Sequence, residues 1–169
     1  VNAGITFVVA AGNESTNAAT SVPAAYDEVI TVSALADFDG MSNGLGAATC
    51  RADEDDSFAN FSNFGADVDI MAPGVCIYST DKNGSYSTKS GTSMASPQVA
   101  GAAALLKAVD PLLTPEQVIL NLLDTADPAP CATQNGLCSD DPDGIQEPLL
   151  MVGAPLPDND GDGYPSNVD

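Results

Sequence analysis

The stretch Gly91–Lys107, GTSMASPQVAGAAALLK, constrains this chain more than any other. It carries no charge from Gly91 to Leu106 and is built largely of Gly, Ala, Ser and Thr. Ala102, Ala103, Ala104, Leu105 and Leu106 are good helix formers. A helix without a polar face belongs inside a protein or a membrane, and a membrane span needs about 20 residues. The run is too short for the second, so it predicts a buried helix packed closely through small side chains. Pro97 fits only near the helix start, because a proline deeper inside removes a backbone bond and clashes. The helix is therefore expected to begin at about Thr92–Met94, with Ser93 at its N-terminus. Free N–H groups and the helix dipole favour negative charge there. A hydroxyl at that place can act as a nucleophile while its own backbone N–H faces a developing oxyanion.

Composition bounds the partners. The chain has 169 residues, 44% of them hydrophobic, enough for one domain with a core. Four basic residues stand against 24 acidic ones, a net charge of −20. That excludes nucleic acid, whose phosphates need Lys and Arg, and argues against an anionic membrane surface. An acidic excess suits calcium binding, solubility or life in salt. No apolar run is long enough for a membrane span. The cysteines are Cys50, Cys76, Cys131 and Cys138, none in a CxxC spacing, and with no histidine a Cys/His zinc site is excluded. Two disulfides in an oxidising compartment are expected, with four free thiols as the alternative. Of three pairings the short loop favours Cys131–Cys138, which leaves Cys50–Cys76.

Gly91-Thr92-Ser93-Met94-Ala95-Ser96-Pro97 resembles the nucleophile motif of the subtilisin-like serine proteases, the subtilases. Ala10-Ala11-Gly12-Asn13, after the apolar run Ile5–Ala11, resembles the family's AAGN segment. By itself the run predicts a central parallel strand buried on both faces, ended by Gly12-Asn13. Further matches follow in the family's order: Pro23-Ala24-Ala25-Tyr26 before the strand Val29–Ala34, Phe61-Ser62-Asn63-Phe64-Gly65, and Asp69-Ile70-Met71-Ala72-Pro73-Gly74. The resemblance covers 1–152. It implies an α/β fold, a parallel sheet flanked by helices, and hydrolysis of peptide bonds in protein or peptide substrates through an acyl-enzyme. Ser93 is then the nucleophile, the Asn13 amide donates to the oxyanion, and Ala10, Ala11 and Gly12 form a wall of the substrate pocket. Backbone carbonyls of Ala24, Tyr26 and Val29 would hold a cation with Asp69. Ser90 and Gln98 stand where many relatives carry Asn and His; neither is a catalytic residue.

One requirement of the family is not met here. The nucleophile needs an imidazole base, and the chain has no histidine. In subtilisin the order is Asp, His, Ser, so Asp and His are expected upstream of Val1. The reading is therefore the C-terminal portion of a longer secreted or cell-surface precursor, its sheet incomplete. The alternatives are an inactive pseudoprotease or a calcium-dependent surface or adhesion module.

Thr114-Pro115-Glu116-Gln117 is a helix start, with Thr as N-cap, Pro at the first position and Gln at the third. Val118, Leu122 and Ala126 then share one face, beside Ile119 and Leu123. Residues 153–157 read as a linker. In the tail, with Asp158 as the first position, Asp158, Asp160 and Asp162 take alternate places, Gly163 the sharp turn, Tyr164 a carbonyl position and Asp169 the twelfth. That is the spacing of a calcium loop. With Pro165 inside it, 158–169 resembles a truncated thrombospondin type 3-like or other DxDxDG repeat; a disordered acidic linker is the other reading.

Overall fold

The computed structural model describes residues 3–41, 46–131, 138 and 141–153. The main sheet contains β1 (Val8–Ala10), β2 (Ile30–Ala36), β3 (Ser57–Phe58) and β4 (Ile70–Pro73). β1 and β4 flank β2 in parallel, Val8 beside Ile30 and Val32 beside Ile70, while β3 pairs antiparallel through Leu35 and Phe58. A hairpin of β5 (Ile77–Asp81) and β6 (Ser85–Lys89) then leads into α1 (Thr92–Val109) and α2 (Pro115–Thr125). The α/β fold read from the sequence is what the chain adopts. Its main core lies between sheet and helices: Val32, Ala34, Ile70 and Ala72 meet Val99, Val118 and Leu122.

The buried centre of the sheet is β2, whose seven residues are all buried. The expectation gave that place to Ile5–Ala11. Only Val8–Ala10 pair as a strand there, and they are half-buried; Ile5 and Phe7 are 54% and 46% exposed. Among the described residues β1 has a partner on one side only. An apolar run reports a demand for cover, and nothing described here provides it on that side.

Helix α1 shows the same difference. It starts at Thr92, as the sequence predicts, but buries only Thr92, Ala95, Val99, Ala102 and Ala103. Ala100, Gly101, Ala104, Leu105 and Val109 form an exposed apolar stripe, so the helix is buried on one face, not on all. Pro97 also sits deeper than expected, as the sixth helical residue. Its missing N–H leaves the Ser93 carbonyl, four residues earlier, without the usual helical donor.

Helix α2 begins as its sequence prescribes. The Gln117 N–H donates to Thr114 Oγ1 at 3.2 Å, and the Thr114 N–H to Gln117 Oε1 at 2.8 Å. Val118, Leu122 and Ala126 are buried, as their spacing predicts. Both disulfides have the expected pairing, Cys50–Cys76 and Cys131–Cys138. The Cys50–Cys76 bridge ties the long loop after β2 to the segment before β5. Leu149 closes the described chain by bridging Met71 on one side and Asp127 on the other.

Candidate active site

Three short segments converge at the N-terminus of α1. Past β1 the ladder continues for one bond, the Ala11 N–H donating to the Val32 carbonyl at 3.0 Å. Gly12 then turns the chain at φ 112°. A Cβ on Gly12 would stand 2.3 Å from Asn63 Nδ2, so glycine is needed both for conformation and for space. The turn delivers Asn13 to the helix. Its Oδ1 accepts from the Thr92 N–H at 2.9 Å and from the Thr92 hydroxyl at 3.1 Å.

That contact explains how α1 is capped. Gly91 offers no side-chain cap, so the first N–H of the helix is satisfied from 79 residues away. It also fixes the amide. An N–H needs an acceptor, so the oxygen end of Asn13 faces Thr92 and the Nδ2 end keeps its donors. Ser93, next to Thr92, is exposed. It lines a cleft of about 300 Å³ with Ile77, Ser79, Lys89, Met94 and Gln98. The hairpin β5–β6 forms one wall, and the first turns of α1 the other. Gln98 is held in place by donating to the Pro73 and Met94 carbonyls. Lys89 at the rim pairs with Asp81 at 3.0 Å. The Lys82 N–H first, and Lys89 second, hold the Asp81 carboxyl down at about 2.

The structure thus brings Asn13 and the start of α1 together. Ala10, Ala11 and Gly12 lie behind Asn13 and are not in the lining of the Ser93 cleft. Ala11 is fully buried.

Asn63 has no role in the motif reading. It is fully buried. Its Oδ1 accepts from the N–H groups of Glu14 and Thr16, at 3.0 and 3.1 Å. Its Nδ2 donates to the Ala11 carbonyl at 2.9 Å and to Glu14 Oε2 at 3.2 Å. One side chain therefore shapes both flanks of Asn13. The signal was present in Phe61-Ser62-Asn63, but a buried amide hub looks like an ordinary loop polar residue until the fold is known. Asn63→Ala would strand several buried polar groups, each costing about 1–3 kcal/mol. A loss of at least about 3 kcal/mol in a urea titration is expected by that reckoning; a loss under about 1 kcal/mol would mean that water replaces the amide.

The expected cation residues fall in two places. Asp69 Oδ2 accepts from the Thr31 N–H at 2.8 Å, and the Thr31 hydroxyl donates to the Ala24 carbonyl at 2.8 Å. The Val29 N–H donates to the Tyr26 carbonyl at 3.2 Å. Asp69 and Ala24 thus meet at Thr31, while Tyr26 and Val29 close the turn that precedes the strand. Burial raises the Asp69 carboxyl above its ordinary value, and Asp67 and Asp27 add to this. Asp158, Asp160, Asp162, Tyr164 and Asp169 lie outside the described residues. Asp37, Asp39 and Asp55, with oxygens within 4.8 Å of one another, are a further group that could hold a metal ion. Both Asp55 oxygens already accept backbone N–H groups, from Phe38 and Gly46.

The sequence profile described as the Subtilase family matches residues 1–154. The chain belongs to the subtilase family. Subtilisin DY of Bacillus licheniformis is 40% identical over 126 residues, which cover 73% of this chain and 40% of that protein. An extracellular protease of Xanthomonas campestris is 40% identical over 144 residues, 80% of this chain and 22% of that one. Among solved structures, a cold-adapted subtilisin-like serine proteinase superposes with a TM-score of 0.67 at 33% identity, covering 89% of this chain and 46% of its own. This subtilase chain spans less than half the length of each of these relatives. Among the described residues no helix is long and apolar enough to cross a membrane.

Proposed function

We propose that this subtilase chain carries the nucleophile and the oxyanion donors of a secreted serine endopeptidase. The Ser93 oxygen attacks the scissile carbonyl of a protein or peptide substrate while an imidazole takes its proton. The carbonyl oxygen, now negative, is steadied by the Ser93 N–H and by the Asn13 amide. Collapse of the tetrahedral species expels the amine, which receives the proton, and leaves an acyl-enzyme that water then cleaves. Ala10, Ala11 and Gly12 form a wall of the pocket for the substrate side chain. The imidazole must come from outside these 169 residues, because the chain has no histidine, and by the family's order of Asp, His and Ser its orienting carboxylate does too. Residues 1–152 are accordingly read as the C-terminal portion of the catalytic domain, 153–157 as a linker and 158–169 as the start of a calcium loop. The open side of β1 and the exposed stripe of α1 are where the remainder of that domain packs. Two disulfides support the secreted location.

The observation that carries the reading is the pair of hydrogen bonds from Thr92 to Asn13 Oδ1, which hold the amide one residue from Ser93. A fluorophosphonate probe applied to the full-length protein tests it. Labelling that disappears in Ser93→Ala is expected. A folded full-length protein that takes no label, or takes it equally without Ser93, would overturn the assignment in favour of a binding module.

A further inference from the structure

We propose that Gln98 is a positioning residue for the Ser93 nucleophile, an inference that rests on the peptidase reading. Gln98 is half-buried further along α1 and lines the same cleft as Ser93. Its Nε2 donates to two carbonyls, that of Pro73 at 2.5 Å and that of Met94 at 3.1 Å. A carbonyl only accepts, so the amide is oriented with its donors spent on these two groups. The side chain therefore joins α1 to the end of β4 by a directional bond. The neighbouring contacts of Ala95 and Val99 with the sheet are apolar, and apolar burial has no direction of its own.

The start of the helix needs that tie. Pro97 has no N–H, so the turn that carries Ser93 closes with one backbone bond fewer. Gly91, at the N-cap, has no side chain to offer. Support comes instead from the end of β4. The Gly74 N–H donates to the Leu35 carbonyl at 2.9 Å, which fixes this end to β2, and the Gly91 N–H donates to the Gly74 carbonyl at 2.8 Å. A Cβ on Gly74 would stand 2.6 Å from Ala34 Cβ and 3.1 Å from the Gly91 carbonyl oxygen, so sheet and helix start meet without spare room. Two successive carbonyls, Pro73 and Gly74, thus hold α1 at Gln98 and at Gly91. Ser93 lies between these two points. The bond at Gly91 sets where the helix begins, and the bond at Gln98 sets how its first turns lie on the sheet.

A nucleophile misplaced by about 1 Å loses about 10²-fold in rate, so a partial shift should be visible in kinetics. The full-length protein is measured with a fluorophosphonate probe and with a peptide substrate. Gln98→Leu is expected to slow Ser93 labelling and kcat alike, by about tenfold, with KM changed by less than about twofold. Gln98→His should bring both rates back to within about threefold of the unaltered protein, because a ring N–H can donate to the Pro73 carbonyl. If Gln98→Leu does not fold, Gln98→Met, which keeps an unbranched stem and lacks both donors, gives the same reading. A side chain that only adds stability would lower Tm and leave the labelling rate of the folded protein unchanged, and that result overturns the proposal. So does a rise in KM at constant kcat, which marks a contact made equally in ground state and transition state. Absence of Ser93 labelling in the unaltered protein removes the peptidase reading and this inference with it. Equal labelling of the unaltered protein and Gln98→Leu removes this inference alone.

Discussion

Ser93→Ala in the full-length protein is expected to lower kcat by about 10⁶-fold while leaving KM nearly unchanged; subtilisin, a relative, is the source of that magnitude. The reasoning rests on what the hydroxyl does and does not touch. Ser93 is exposed at the second position of α1, so its removal leaves no cavity and strands no buried partner. The Thr92 contacts to Asn13 run through the neighbouring residue and survive. The substrate should therefore still bind, and the oxyanion donors should still act on attack by water. Residual catalysis of about 10³–10⁴ over water is the signature of that remainder. A fall of under about tenfold would place the nucleophile elsewhere, because no other change in this site follows from the loss of one exposed oxygen. The 169 residues alone should show no turnover with or without Ser93, since they contain no imidazole.

How much of this was legible in the residues depends on the distance over which each feature is decided. The capping box at Thr114 is settled within four residues, and it formed as written. The start of α1 was equally local. The β5–β6 hairpin is local too. Its signal was Asn83-Gly84, whose left-handed φ values of 62° and 69° make the turn; the polar alternation of Ser85–Lys89 concealed the second strand. Burial was less legible. The chemistry of Ile5, Phe7, Leu105 and Val109 says that they want cover, but cover is a property of what stands opposite, and these residues are exposed. The site itself was half visible. Asn13 and Ser93 came from motif resemblance. Thr92, bonded to Asn13 across 79 residues, and Asn63, bonded to the neighbouring Glu14 N–H across 49, could not be read from spacing.

Asn13 is where stability and activity should part. Its Oδ1 end caps α1, and its Nδ2 end is the proposed oxyanion donor. Asn13→Leu removes both. It should lower kcat by about 10²–10³, a figure that comes from the equivalent donor in subtilisin. It should also cost about 1 kcal/mol of stability through the lost cap. Asn13→Asp keeps an oxygen toward the Thr92 N–H and adds negative charge at a helix N-terminus, which is favourable by about 0.3–1 kcal/mol at an exposed site. The same charge has no donor to offer and repels the oxyanion as it forms. The stability order should then be Asp at least equal to Asn, with Leu below both. The activity order should be Asn far above Leu, with Asp lowest. Denaturant titration and kcat on the same three proteins give the comparison. If activity instead follows stability, with Asp as active as Asn, then Asn13 serves only to cap the helix, and the oxyanion must be held by other donors.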